Sequence, residues 1–347
     1  FFEISRDEAA KIATRIRGGT VRISDPAPTV VALPNADPAG PFSRGDAIVT
    51  LGVDWEHKDL GLLYELRRRL GVAIVSICYD IIPVKFPHLW YADGTQRFRD
   101  YLLGMTEHSD HVLCISRCTQ GDLTEFVSAN NGRTFASSVI TLGSELSAAE
   151  AEHAEGLFPQ IAGRSYLLYV STLERRKNHE IVYRAYTRLV DGGADDLPLV
   201  IFVGQAGWGI EGLLNDLGRD PRVRGLFIHL DNVSDAGLAT LYRNCLFTVY
   251  PSLYEGWGLR VAESLAYGKF CICLSSPSLT EVGGTLLVYA DPWRVDEWAE
   301  LLLRYSHDRQ ALAKMEAEIR KAYRCVPWSR TTAQILRIAR QCAGAAC

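Results

Sequence analysis

Residues 250–269 read YPSLYEGWGLRVAESLAYGK, and this stretch decides how the rest of the chain is read. An apolar run ends at Ser252, a tight polar loop with two glycines follows, and apolar residues then recur at helical spacing from Leu259 to about Tyr267. That is a buried strand, a loop at its carboxyl end and a helix leaving the loop. Gly256 and Gly258 are expected to let backbone approach a ligand closely, and the unpaired amides at the helix start favour an anion such as a diphosphate. Glu255 sits at the mouth of the loop and Glu263 within the helix. A rise of 1.5 Å per residue separates them by roughly 10 Å, a span suited to two ends of one elongated ligand rather than to a carboxylate pair sharing a proton.

Working outward, the same strand and helix alternation recurs along the chain. In the first half, apolar runs at 46–52, 72–80, 111–116 and 138–143 alternate with amphipathic segments such as QRFRDYLLGMTEHS and TQGDLTEFVSA. In the second half, six runs at 165–171, 198–204, 226–230, 247–252, 270–276 and 285–290 do the same. Alternation of this kind predicts an α/β protein built from parallel sheets with helical crossovers. The expected organisation is a first Rossmann-like domain over 1–150, a second over 151–325, and a helical tail over 326–347 packing back across the cleft between them. SELSAAEAEHAEGLFPQIAGR, from Ser144 to Arg164, reads as a linker with a short helix, and ISRDEAAKIATRIR near the amino end as a further helix.

The 347 residues are 48% hydrophobic and 22% charged, a balance that supports packed cores rather than disorder. A formal charge of −4 argues against an electrostatic grip on nucleic acid. No run is long and apolar enough for a membrane span, and the first residues lack signal-peptide order, so the expected location is cytoplasmic. Arg67, Arg68 and Arg69 leave a peripheral association with an anionic membrane face open beside the plainer reading of a solvated helix face. Most of the nine cysteines lie in apolar runs and read as small buried hydrophobes. Cys114 and Cys118 have a tempting spacing, but no nearby His or Cys completes a ligand set, so no metal site is expected. His57, His88, His179 and His229 show no triad pattern and are read as structural or surface groups. Trp55, Trp90 and Tyr91 are read as core packing, with sugar stacking as the other option.

A second block, YVSTLERRKNHE at 169–180, ends a strand in a basic loop that opens a helix. Arg176 and Lys177 at that turn suit a diphosphate, Arg through paired hydrogen bonds and Lys as a point charge.

Together these blocks resemble the E-x7-E signature and the G-T-L-E-P-R-K-N motif of the retaining glycosyltransferases of family 4, which have the GT-B fold of two Rossmann-like domains and an interdomain cleft. Arg260 stands where the first motif has proline; Ser171 and Arg175 replace the glycine and proline of the second. The resemblance implies a metal-independent transfer from a nucleotide sugar, with Glu255, Arg176 and Lys177 catalytic. It places Glu263, Gly256, Trp257, Gly258, Leu259, Ser171, Thr172 and Gly204 around the donor. No other cofactor is implied. Wording such as GWGL and AESLAYGKF looks like O-antigen and capsule mannosyl- or rhamnosyltransferases, which favours a GDP-linked sugar, with a UDP-linked sugar as the other candidate. The acceptor implied is a glycan or lipid-linked glycan, with further domains or subunits of a polysaccharide-synthesis assembly left open.

The resemblance extends to SSPSLTEVGG at 275–284, where Thr280 and Glu281 either approach the donor or merely cap a helix, and to YDIIPVKFP at 79–87. There Tyr79 takes the place of a histidine facing sugar and acceptor, and Asp80 matches while equally reading as a strand-end turn residue. Ser116 matches an acceptor-side serine, with helix capping as the structural alternative. The first half is short for this fold, so an abbreviated N-terminal domain is expected. Two rivals remain: a catalytically silent glycan-binding or partner subunit, and a nicotinamide-dependent oxidoreductase. The second is weakened because the GWGLRV stretch carries valine where the dinucleotide fingerprint needs its last glycine.

Overall fold

The computed structural model describes residues 42–52, 60–90, 94–145 and 158–345. The expected helix near the amino end, Trp55, His57, Tyr91 and most of the Ala-rich linker lie outside the described residues.

The first sheet is laid down as β1 (Ala47–Thr50), α1 (Leu60–Leu70), β2 (Ala73–Cys78), α2 (Ile82–Lys85), α3 (Gly94–His108), β3 (His111–Cys114), α4 (Arg117–Ala129) and β4 (Ser137–Val139). Its strands are parallel and ordered β1-β2-β3-β4 without a reversal. Side chains alternate between its faces. Val112 and Cys114 pack with Phe98, Leu102 and Met105 of α3 and Leu123 and Val127 of α4. Leu113 and Ile115 point the other way, with Val75, Ile77 and Ile140. A sheet wound in one direction leaves that second face bare, and the end of the chain covers it.

The second sheet follows as β5 (Tyr166–Val170), α5 (His179–Asp191), β6 (Leu199–Val203), α6 (Glu211–Arg219), β7 (Phe227–Leu230), α7 (Asp235–Asn244), β8 (Thr248–Tyr250), α8 (Leu259–Ala266), β9 (Cys271–Leu274), α9 (Pro277–Gly283) and β10 (Val288–Ala290). The last expected run is shorter than predicted, because Gly284–Leu286 form a tight helical turn before β10. All strands are parallel, in the order β10-β9-β8-β5-β6-β7. Leu167, Tyr169, Val200 and Phe202 face one core, and Tyr166, Leu168, Val170, Ile201 and Val203 face the other. Burial on both faces explains why these strands are continuous apolar runs rather than alternating ones.

The order reverses direction between β5 and β8, which touch at Leu168 and Thr248. At such a switch point the loops leaving the two strands diverge to opposite faces and open a crevice. Those loops are the two motif-bearing segments of the sequence. After β10 come α10 (Val295–His307), α11 (Arg309–Ala322) and α12 (Trp328–Ala345). Ile338 and Ala339 of α12 join Val75, Ile77 and Leu113 in one core, so this helix closes the bare face of the first sheet. Trp257, from the loop after β8, packs against the same cluster.

Candidate functional site

The loop after β5 makes a single helical turn over Arg175–Lys177, and Asn178 then takes a left-handed conformation with φ of 55° before α5 begins. Asn tolerates that region better than most residues. The turn leaves Arg175 exposed and swings Arg176 and Lys177 inward, each 8% exposed. The amide of Leu253 donates to the carbonyl of Arg176 at 2.8 Å, tying this loop to the one after β8.

Glu255 is where the two loops meet. One carboxylate oxygen, Oε1, accepts from Lys177 Nζ at 2.5 Å, Arg176 NH1 at 2.9 Å and the Tyr250 hydroxyl at 3.1 Å, and also from the Ser252 hydroxyl. Arg176 donates further to the Tyr254 carbonyl at 2.7 Å and to Glu174 at 2.5 Å. The other oxygen of Glu255, Oε2, accepts no hydrogen bond among the described residues. Burial alone would protonate this carboxyl, but Lys177 and Arg176 beside it win and hold its pKa down at about 2. Burial lowers the pKa of Lys177, while the Glu255 carboxylate beside it pulls the other way.

This cluster borders a cleft of about 1090 Å³ lined from both halves of the chain. Its walls include Ser171, Thr172, Arg176, Lys177 and Gly204 from the second sheet, Gly256 through Arg260 from the β8 loop, and Tyr79 and Asp80 from the end of β2. Trp90 and Trp208 meet edge to face across it, with centroids 5.5 Å apart. Among the described residues, the Arg176 Nε and Trp257 Nε1 donors are buried without a partner. Both residues line the cleft.

Glu263 has a different setting. It is 3% exposed, and Arg260 NH1 reaches both of its oxygens at 2.9 and 2.8 Å while the Tyr242 hydroxyl donates at 3.1 Å. Arg260 itself lines the cleft, so the residue at the motif's proline position covers the second glutamate. Burial raises the pKa of Glu263, with Arg260 and Tyr242 only partly offsetting it.

The glycines are needed for reasons other than the expected approach of a ligand. A Cβ on Gly256 would lie 2.1 Å from the Tyr79 carbonyl oxygen, so the close approach there is between the two halves of the chain. Gly258 has φ of 120°, and a Cβ on it would strike Leu279 of α9. Gly204, with φ of 144°, abuts the Ser171 carbonyl. Thr172 is exposed to the cleft, whereas the Ser171 hydroxyl is spent on His179 at 3.1 Å. His179 is stacked on Tyr169 and held neutral by burial, its pKa pushed down to about 3.

On the first-sheet side, the Tyr79 hydroxyl donates back to the Leu51 carbonyl at 2.8 Å, and Asp80 accepts from the Ile82 amide at 2.9 Å, a turn contact just before α2. Ser116 caps α4 and also donates to the Gly256 carbonyl at 2.6 Å. Glu281 caps a helix too, but one in the other half: it accepts from the amides of Arg117 and Cys118 at 3.0 and 2.8 Å. Cys114 is buried, with its thiol pushed up to about 12, and no group of His, Cys, Asp or Glu side chains among the described residues is arranged to hold a metal. Sequence reasoning missed Tyr250, Ser252, Glu174 and Tyr242, whose only signal was their place beside the motifs.

Comparison with known proteins follows the same division of the chain. Residues 158–322 match the family described as glycosyl transferases group 1. The serotype-specific mannosyltransferase WbdA of Escherichia coli is 25% identical over 287 residues, 77% of this chain and 35% of that protein. The O-antigen chain mannosyltransferase B of Escherichia coli is 35% identical over 149 residues, 43% of this chain and 39% of that protein. The chain thus spans about a third of the length of these curated relatives. Among solved structures, Anabaena HepE in complex with UDP and glucose aligns with a TM-score of 0.68 at 17% identity, covering 85% of this chain and 78% of that one. Sucrose-phosphate synthase from Thermosynechococcus elongatus gives 0.63 at 18% identity, covering 82% and 71%. The architecture is the GT-B fold.

Proposed function

We propose that the protein is a retaining, metal-independent glycosyltransferase that moves a hexosyl unit from a nucleotide sugar onto a growing polysaccharide or lipid-linked glycan. The observation that carries this reading is Glu255, which two cations and two hydroxyls hold through one oxygen while the other is left without a partner beside the cleft. A fixed, anionic acceptor of this kind suits a hydroxyl of the transferred sugar. Arg176, Lys177 and the amides opening α8 suit the diphosphate that departs with the bonding electron pair as the acceptor oxygen attacks the anomeric carbon. The acceptor's proton goes to the departing phosphate. Catalysis here is positioning and charge stabilisation. Mannose or rhamnose carried by GDP is the donor favoured, since two relatives are named mannosyltransferases, and the HepE structure with UDP keeps a UDP-sugar as the other candidate. On this reading the work takes place in the cytoplasm, with a peripheral position at the inner face of the membrane as the other option. Among the described residues no helix is long and apolar enough to cross one.

A silent partner subunit is the second reading, favoured by the hold of Arg260 on Glu263. One experiment addresses both: melting shifts with GDP-, UDP- and TDP-sugars, followed by release of the nucleoside diphosphate. Binding with slow release that disappears in Glu255→Gln supports the enzyme. Binding without release, or no shift with any of these sugars, supports the silent subunit and sinks the enzyme.

A further inference from the structure

The Gly256 carbonyl points into the first half of the chain. There the Ser116 hydroxyl donates to it at 2.6 Å and the Thr119 hydroxyl at 3.1 Å, the latter also lying 3.3 Å from the Tyr79 carbonyl. Ser116 is 0% exposed and Thr119 is 1% exposed, so these are dry contacts without competing water. The peptide from Gly256 to Trp257 is trans, so once its carbonyl is fixed its N–H must point the opposite way. Among the described residues, the amides of Gly256, Trp257, Gly258, Leu259 and Arg260 donate to nothing. The joint is reciprocal. Ser116 and Thr119 sit at the first turn of α4, and that turn is in turn capped by Glu281 of α9 through the amides of Arg117 and Cys118. A carboxylate at a helix start is favoured by the helix dipole as well as by the hydrogen bonds. No Cβ fits at Gly256, so the halves meet backbone against backbone at this point.

We infer that Ser116 and Thr119 are positioning residues for the donor: acting from the other half of the chain, they orient the peptide whose amides receive the diphosphate. This rests on the donor site proposed above. Neither hydroxyl needs to touch the donor.

The test is calorimetric binding of GDP and of UDP to the whole chain as Thr119→Val, Thr119→Ser and Ser116→Ala/Thr119→Val, with ligand-free melting temperatures recorded beside each. Thr119→Val keeps the shape and removes one donated bond, so the expected loss is about three- to tenfold in affinity, greater in the double variant. Thr119→Ser restores the affinity. Equal binding by the double variant and the parent overturns the inference, as does a Thr119→Ser variant that binds no better than Thr119→Val, which would make packing the cause. A parent protein that binds neither nucleotide overturns the donor-site reading first and this inference with it, a result distinct from equal binding by all forms.

Discussion

Glu255 and Glu263 stand eight positions apart, on one loop and the helix it opens, and their surroundings are opposite. Glu255 is pinned through a single oxygen by Lys177, Arg176, Tyr250 and Ser252, and its other oxygen is left for the cleft. Glu263 has both oxygens taken by Arg260 and a further bond from Tyr242. On the reading proposed above, one carboxylate is ready before any ligand arrives, while the other needs Arg260 to move aside. Two carboxylates of one short segment thus differ in how freely a ligand could reach them.

The largest effect should come from Lys177→Met, which leaves the buried Glu255 with Arg176 as its one remaining cation. Breaking a buried pair costs about 3–5 kcal/mol, and, on the reading proposed above, removing a charge that stabilises the leaving group costs about 10²–10³ in rate. Arg260→Met, by contrast, removes a side chain that is 38% exposed, and should cost well under half as much stability. Denaturant unfolding of both variants and turnover of the donor check this. Equal losses in the two would erase the contrast between the glutamates.

A pH series sharpens it next. The folded protein lowers the pKa of Glu255 from 4.5 to about 2, so its ionisation contributes stability that is complete above 4.5 and disappears as pH falls from there toward 2. Glu263 has the opposite sign. Burial raises its pKa above 4.5, so its ionisation costs stability as pH rises from 4.5 through the raised value. Glu255→Gln should lower stability at pH 7 by about 3 kcal/mol and by much less at pH 3. Glu263→Gln should be neutral or slightly stabilising at pH 7 while weakening nucleotide binding by about tenfold, the loss of a charge-assisted hydrogen bond. Urea midpoints at the two pH values separate the cases, and a destabilised Glu263→Gln at pH 7 would reverse the assignment.

Much of this was legible in the sequence, for a local reason. Tyr166–Val170 and Thr248–Tyr250 are apolar runs that stop at polar, glycine-bearing or basic loops, and a parallel strand buried on both faces leaves just that trace. The pairing of Lys177 with Glu255 follows once both loops leave adjacent strands. What local pattern could not carry is contact across long separation. Ser116 and Gly256 are 140 positions apart, and the amide of Cys118 and Glu281 are 163 apart. Ser116 read as an acceptor-side serine or a helix cap; it is a cap, and nothing local hinted that it also donates to the Gly256 carbonyl in the other half. Gly256 read as room for a ligand, when its space is filled by the end of β2. Tyr250 and Ser252 looked like strand residues because their hydroxyls gain meaning only beside Glu255.

The smallest effect is expected at Tyr79, and it bears on the acceptor side of the comparison. Its ring is 41% exposed and its hydroxyl donates to the Leu51 carbonyl, while its own carbonyl oxygen is the atom that crowds Gly256. Backbone placement rather than side-chain chemistry therefore connects this position to the donor loop. Tyr79→Phe loses one bond at a partly solvated site, worth about 0.5–1 kcal/mol, and should leave nucleotide affinity within about twofold. The informative readout is the split between donor and acceptor in steady-state kinetics. An unchanged donor KM with a raised acceptor KM would put the ring against the acceptor, whereas a tenfold fall in donor affinity would mean that the side chain, like Glu255, belongs to the donor grip.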